Sequence, residues 1–151
     1  AVPFEEVISR AIFWENYIQQ YPKSYFIKDA KVLFALYRHA IFFGSDNTQW
    51  TNDDINEFVS PEYEQAIKKL AEPSESVLTQ DARTLLEFMA TSDAKRQQKY
   101  PVPEVDEDGY EIQDWAKARY QRKGALPIVS PWENDNNRDC LSRIICMDYN
   151  Y

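Results

Sequence analysis

Residues 26–43 read FIKDAKVLFALYRHAIFF and form the most apolar segment of the chain. Apolar residues recur in it every three or four positions, and further apolar residues widen that stripe to nearly the full circumference of a helix. A helix of this kind packs on most of its sides, so we predict that it is the central helix of the fold. Gly44 follows it directly and suits a helix C-terminus.

Helical spacing also appears on both sides of this segment. We predict further helices over about residues 4–20, 61–71, 76–98 and 110–123, a short helical turn that begins at Thr51, and a closing helix or strand over 139–147. The last turns of the 76–98 helix are polar, and we expect residues 93–99 to project into solvent. Three glycines are too few for the many tight turns of a sandwich or barrel.

The length of 151 residues is that of one domain with one core. We therefore predict an all-α, single-domain irregular bundle of five or six helices around the 26–43 helix. Its predicted parts are a core over 4–99, a linker rich in proline and acidic residues over 100–109, and a C-terminal helical segment over 110–151.

The net charge of the chain is −8, and its acidic residues are concentrated in one segment. Between residues 45 and 64 there are six acidic side chains and no basic one. Such a surface favours a basic protein partner and disfavours nucleic acid, whose phosphates it repels. The alternative is that the charge serves only to keep the protein in solution. Oligomeric state stays open.

A charge-steered interface combines acidic loops with neighbouring aromatic side chains. On this basis we predict a partner-binding surface, and the function of a small inhibitor, immunity-type or adaptor protein that masks a basic site. The predicted binding residues are Asp46, Trp50, Asp53, Asp54, Glu57, Tyr63, Asp106, Asp108, Tyr110 and Trp132.

A rival hypothesis is a small cysteine-dependent hydrolase or transferase. Asp139, Cys140 and Ser142 resemble the Asp-Cys-Ser-Gly nucleophile turn of cell-wall peptidases of the NlpC type, and the resemblance implies a nucleophilic Cys140. The glycine of that motif is absent, and no histidine follows Cys140, so the base would be His39. The structural alternative is a plain buried cysteine or a disulfide with Cys146, which needs a break between the two residues if they lie on a helix.

Metal and cofactor sites have little support in the sequence. Asp46 and Glu57 take the first and twelfth positions of a calcium loop, but Thr51 stands where that loop needs glycine. A secreted calcium-dependent module is therefore a third hypothesis, and we predict no metal and no cofactor. One histidine and two cysteines do not match a structural zinc site, and no glycine-rich phosphate loop is present.

The compartment is predicted from the first residues and from hydropathy. No stretch of about 18 apolar residues is present, so we expect no membrane-spanning helix. The chain begins with Ala1, Val2 and Pro3, as a mature protein does after removal of a signal peptide. We therefore expect a secreted or periplasmic protein, with a cytoplasmic location as the alternative.

Overall fold

The computed structural model of the protein describes residues 2–45 and 47–131. These residues form six helices and no β-strand beyond three isolated bridges, which confirms the predicted all-α class. The helices are, in chain order, α1 (Phe4–Gln20), α2 (Ile27–Phe43), α3 (Pro61–Leu70), α4 (Val77–Ala90), α5 (Asp93–Lys99) and α6 (Asp114–Ala125). None of these described helices is long and apolar enough to cross a membrane.

The chain divides into two compact units. The first contains α1 and α2 together with the described residues 128–131, and the second contains α3 to α6 within residues 44–127. The predicted division into a core over 4–99, a linker over 100–109 and a C-terminal segment over 110–151 stays a prediction.

In the first unit α1 and α2 form a helical hairpin, and α1 packs along α2. The buried apolar side chains of α1 recur at helical spacing, whereas those of α2 lie near its two ends: Phe4, Val7, Ile8 and Ala11 from α1, and Ala30, Ile41 and Phe42 from α2. All nine residues from 32 to 40 are half-buried. The middle of α2 is therefore less buried than its apolar composition predicts.

In the second unit α4 packs against both α3 and α6. Ile67 of α3 is buried. Four side chains of α4 at helical spacing are buried as well: Leu78, Ala82, Leu85 and Phe88. The start of α3 is as predicted, because Ser60 Oγ accepts a hydrogen bond from the Glu62 amide at 3.2 Å and Pro61 occupies the first turn.

The prediction of one continuous helix over 76–98 is wrong, because the structure breaks this segment into α4 and α5. Thr91 and Ser92 have extended backbone angles, and α5 begins after them at Asp93. The predicted projection of residues 93–99 into solvent is also wrong for Arg96, whose side chain is 1% exposed. After the break the Arg96 side chain points inward, and its guanidinium donates hydrogen bonds to backbone carbonyls.

Two further local predictions need correction. The segment from Thr51 is no helical turn, because Thr51 pairs with Phe58 in an antiparallel bridge. Helix α6 begins at Asp114, later than the predicted 110, because the Ile112 amide is used in a hydrogen bond to the Glu104 carbonyl at 3.1 Å. The closing element predicted over 139–147 lies outside the described residues.

Candidate protein-binding surface

The acidic loop, which we define as residues 51–58, connects two extended backbone segments of the second unit. The Thr51–Phe58 bridge closes it, and the Val59 amide donates to the Trp50 carbonyl at 3.0 Å just outside the bridge. Within the loop, the Asn52 amide donates to the Glu57 carbonyl at 2.9 Å. The loop therefore has the backbone hydrogen bonds of a short hairpin.

Asn52 holds the interior of this loop with its side chain. Its Oδ1 accepts hydrogen bonds from the amides of Asn56 at 3.0 Å and Glu57 at 3.2 Å, and its Nδ2 donates to Asn56 Oδ1 at 2.6 Å. Asparagine is common in turns because its short amide can replace backbone partners in this way. One side chain thus satisfies two loop amides.

Ile55 lies at the tip of the loop and points inward. Its φ is +50°, a left-handed conformation that is unfavourable for a β-branched residue. Its side chain is 2% exposed, so the burial of an isoleucine opposes the cost of that backbone conformation. The exposed neighbours Asp53 and Asp54 precede it.

Arg96 of α5 fastens the tip of the acidic loop from inside. Its guanidinium donates to the carbonyls of Asp54 and Ile55 at 2.7 Å each, to that of Phe88 at 2.9 Å and to that of Met89 at 3.3 Å. It also lies 4.2 Å from the centre of the Phe88 ring. Burial lowers the pKa of Arg96, and the nearby carboxylates of Asp93 and Asp54 oppose that effect. Arg96 therefore joins the loop to the C-terminal end of α4.

The carboxylates of the loop differ in how far they are compensated. Asp53 Oδ1 accepts a hydrogen bond from Arg119 of α6 at 3.2 Å, and the Arg119 guanidinium lies 5.3 Å from the centre of the Trp115 ring. Asp54 and Glu57 are exposed, and within 2–45 and 47–131 neither carboxylate forms an ion pair with a lysine or arginine. Of the three carboxylates, Asp53 is therefore paired directly, Asp54 is attracted by the buried Arg96, and Glu57 carries the least compensated charge.

Two of the predicted aromatic binding residues lie next to the loop. The rings of Trp50 and Tyr63 are 4.9 Å apart and nearly perpendicular, and both side chains are half-buried. The Trp50 carbonyl accepts the hydrogen bond from the Val59 amide described above, which joins Trp50 to the end of the loop. Asp53, Asp54, Glu57, Trp50 and Tyr63 thus belong to one continuous part of the second unit.

The second predicted acidic segment forms a separate turn. Asp106 Oδ1 accepts hydrogen bonds from the amides of Asp108 at 3.0 Å and Tyr110 at 2.9 Å, and Gly109 has a φ of +84°. Asp108 and Tyr110 are exposed, whereas the carboxylate of Asp106 is used within the turn. No hydrogen bond or ion pair among the described residues joins this turn to the acidic loop.

The remaining predicted site residues are placed as follows. His39 is half-buried on α2 in the first unit, and its ring stacks on that of Phe43 at 4.9 Å. Four residues lie outside the described part of the chain, so the predictions on them stay predictions: Asp46, Trp132, Cys140 and Cys146. The pairing of Cys140 with His39 is among these. Across the described residues, no group of three or more histidine, cysteine, aspartate or glutamate side chains is placed to hold a metal ion.

Sequence reasoning missed Arg96 and Arg119. The spacing of apolar residues carries no signal for either, because each acts on a loop 41 or more positions earlier in the chain. Sequence reasoning also missed an aromatic series at the C-terminal end of α1, Phe13, Tyr17 and the C-cap residue Tyr21, which recurs every four residues and was visible in the sequence.

Comparison of the chain with models of protein families, with characterised proteins and with solved structures gives no match.

Proposed function

We propose that the protein is a small acidic binding module, of the inhibitor or immunity type, that masks a basic site on a partner protein. The observation that carries the proposal is the acidic loop, which holds Asp54 and Glu57 exposed on a backbone fixed by Arg96 and Asn52. Export of the protein stays a prediction.

The fixed backbone favours binding because little conformational freedom is then lost on association. Ordering a loop or a long side chain at an interface costs free energy that reduces affinity. In the acidic loop, the hydrogen bonds of Asn52 and Arg96 order the backbone already during folding. Exposed carboxylates on such a loop steer a basic partner and discriminate against acidic ones.

The experiment compares three forms of the full chain as bait in a lysate of the source organism, at low and moderate salt. The loop variant carries Asp54→Lys with Glu57→Lys. The control carries Glu72→Lys with Glu75→Lys, which changes the net charge equally at two exposed positions away from the loop. Asp53 is left unchanged because it supports Arg119.

We expect the wild type and the control to retain the same basic protein, more strongly at low salt, and the loop variant to lose it. Retention by all three forms would contradict a role of the acidic loop. Equal loss in the loop variant and the control would assign the capture to net charge alone. Circular dichroism of each bait confirms that the helices are intact.

A further inference from the structure

The first unit has an aromatic surface at the C-terminal end of α1. The rings of Phe13, Trp14, Tyr17 and Tyr21 contact one another in series, with centroid separations of 5.0, 5.7 and 5.2 Å. Phe13 and Tyr21 are each more than half exposed. Contiguous exposed apolar surface of this kind marks interaction sites.

The turn between α1 and α2 carries a second aromatic pair. Tyr25 is 87% exposed, and its ring lies perpendicular to that of Phe26 at 5.2 Å. Tyrosine and phenylalanine supply large contact area with few rotatable bonds, which is why they are frequent anchors of interfaces.

A groove lies beside this surface, and we call it the tyrosine groove. It is open, has a volume of about 710 Å³, and is lined by Tyr17, Gln20, Tyr21, Pro22, Lys23 and Ser24. The hydroxyls of Tyr17 and Ser24 are hydrogen-bonded at 2.6 Å, and Ser24 Oγ also accepts from the Phe26 amide at 3.1 Å. The walls are therefore held in place before any ligand binds.

The charge around the tyrosine groove is opposite to that of the whole protein. Between residues 16 and 31 the basic side chains are Lys23, Lys28 and Lys31, and all three are exposed. The only acidic residue in that segment is Asp29, which is buried. Within the described residues, none of the three lysines forms an ion pair. A chain with net charge −8 thus carries three exposed lysines in the segment that contains the groove, and one of them, Lys23, lines it.

We propose that the tyrosine groove binds an acidic peptide segment of another protein. Apolar side chains of the segment lie against Tyr17 and Tyr21, and its carboxylates pair with Lys23 and Lys28. Charge complementarity selects a negative occupant. The concave shape and fixed walls suit an extended chain, whereas an element that lies in a membrane surface is an amphipathic helix with one continuous apolar face. The net charge of the protein disfavours nucleic acid.

This proposal does not depend on the function proposed for the acidic loop. The two sites have opposite charge and consist of different residues in different units, so each can be tested with its own substitutions.

The experiment is selection of displayed random peptides on the immobilised full chain, followed by measurement of affinity for the best synthetic peptide by fluorescence polarisation. We expect the enriched peptides to be acidic and to contain aromatic or aliphatic residues. Lys23→Glu and Tyr21→Ser each weaken binding about tenfold or more. The matched controls, Lys69→Glu and Tyr120→Ser, change exposed residues of the second unit and leave the affinity unchanged.

Four results would overturn the proposal. One is the absence of enrichment over an unrelated bait. Another is an enriched peptide whose affinity survives both Lys23→Glu and Tyr21→Ser. The third comes from vesicles that contain phosphatidylserine: if they bind the wild type but not Tyr21→Ser, and no peptide is enriched, the groove is a membrane contact. The fourth is enrichment of basic peptides alone, whose binding is abolished by Asp54→Lys with Glu57→Lys. Such peptides would report only on the acidic loop.

Discussion

The acidic loop and the tyrosine groove differ in what holds them in place. The loop is fixed from inside by a buried arginine, a buried isoleucine and an asparagine amide, and it exposes carboxylates. The groove is part of a helical hairpin, and one side-chain pair, Tyr17 with Ser24, fixes its walls. It exposes the rings themselves.

The two sites therefore differ in whether the residues that stabilise the site are also the residues that would contact a partner. In the acidic loop, the residues that set its shape, the buried Arg96 and Ile55 and the half-buried Asn52, are distinct from the carboxylates that would meet a partner. In the tyrosine groove, Tyr17 and Tyr21 both form the walls and offer the contact area. Substitutions that probe shape should therefore be costly in the loop and mild in the groove.

The largest effect is expected for Arg96→Met. Methionine keeps some of the apolar volume but leaves the carbonyls of Asp54 and Ile55 without their donor, whereas the Phe88 carbonyl keeps its hydrogen bond from the Thr91 amide. A buried polar group that loses its partner costs about 1–3 kcal/mol, so we expect a loss of about 3 kcal/mol or more in the free energy of unfolding. Urea denaturation followed by tryptophan fluorescence measures it.

The control for that prediction is Arg83→Met. Arg83 is exposed and donates one hydrogen bond, to the Ala71 carbonyl at 2.8 Å. Its loss should cost about 1 kcal/mol or less. Similar losses for the two arginines would mean that Arg96 does not hold the loop.

A smaller loss is expected for Ile55→Gly, where two effects oppose each other. Removal of a buried isoleucine side chain costs about 2–5 kcal/mol. Glycine adopts the positive φ without the steric strain of isoleucine, which recovers about 1–2 kcal/mol of stability. The lost burial outweighs the relieved backbone conformation, so we expect a net loss of about 2 kcal/mol by the same denaturation measurement. A variant as stable as the wild type would show that backbone strain in the loop outweighs the burial of Ile55.

In the groove, Tyr17→Phe is expected to cost about 1 kcal/mol or less. The change removes the hydrogen bond to Ser24 Oγ but keeps the ring and its contacts with Trp14 and Tyr21. A neutral hydrogen bond contributes about 0.5–1.5 kcal/mol, and the half-buried Ser24 can bind water instead. A loss as large as that of Arg96→Met would remove the contrast between the two sites.

The elements with strong local signals were predicted from the sequence. Helix α1 has the predicted bounds because Pro3 and Pro22 flank a run with clear helical spacing. Helix α3 follows the predicted order of a serine cap, a first-turn proline and an early acidic residue. Of the ten residues predicted for one binding surface, Trp50, Asp53, Asp54, Glu57 and Tyr63 lie in one part of the second unit because they are close in sequence, and the surface itself stays a prediction.

What the sequence did not predict depends on long-range contacts. The segment of α5 has one alanine and six polar or charged residues, so no hydrophobic pattern indicates that Arg96 is buried. Its partners at Asp54 and Ile55 are more than 40 positions away. The compensation of Asp53 by Arg119 spans 66 positions. The positive φ of Ile55 contradicts its local preference and arises only because the tip of the loop is held from inside.

The smallest effect is expected on α6, the helix that presents Arg119 to the acidic loop. Asp114 begins this helix, and its carboxylate accepts a hydrogen bond from Lys117 Nζ at 2.5 Å. That hydrogen bond and the charge of Lys117 lower the pKa of Asp114. Because the pKa is lower in the folded state, the contribution to stability is complete above the ordinary value of 3.8 and is lost as the pH falls through the folded value.

The variant Asp114→Asn tests this pH dependence of stability. We expect its difference in Tm from the wild type to be small and constant between about pH 5 and pH 8, and to vanish in acid. NMR titration of the Asp114 carboxyl carbon gives the folded pKa directly, and Lys117→Met should return it towards the ordinary value. A carboxyl that titrates alike in the wild type and in Lys117→Met would show that the pair is not formed in solution. Charge pairs at the surface of α6 would then contribute nothing to presenting Arg119, and the acidic loop would depend on its buried contacts alone.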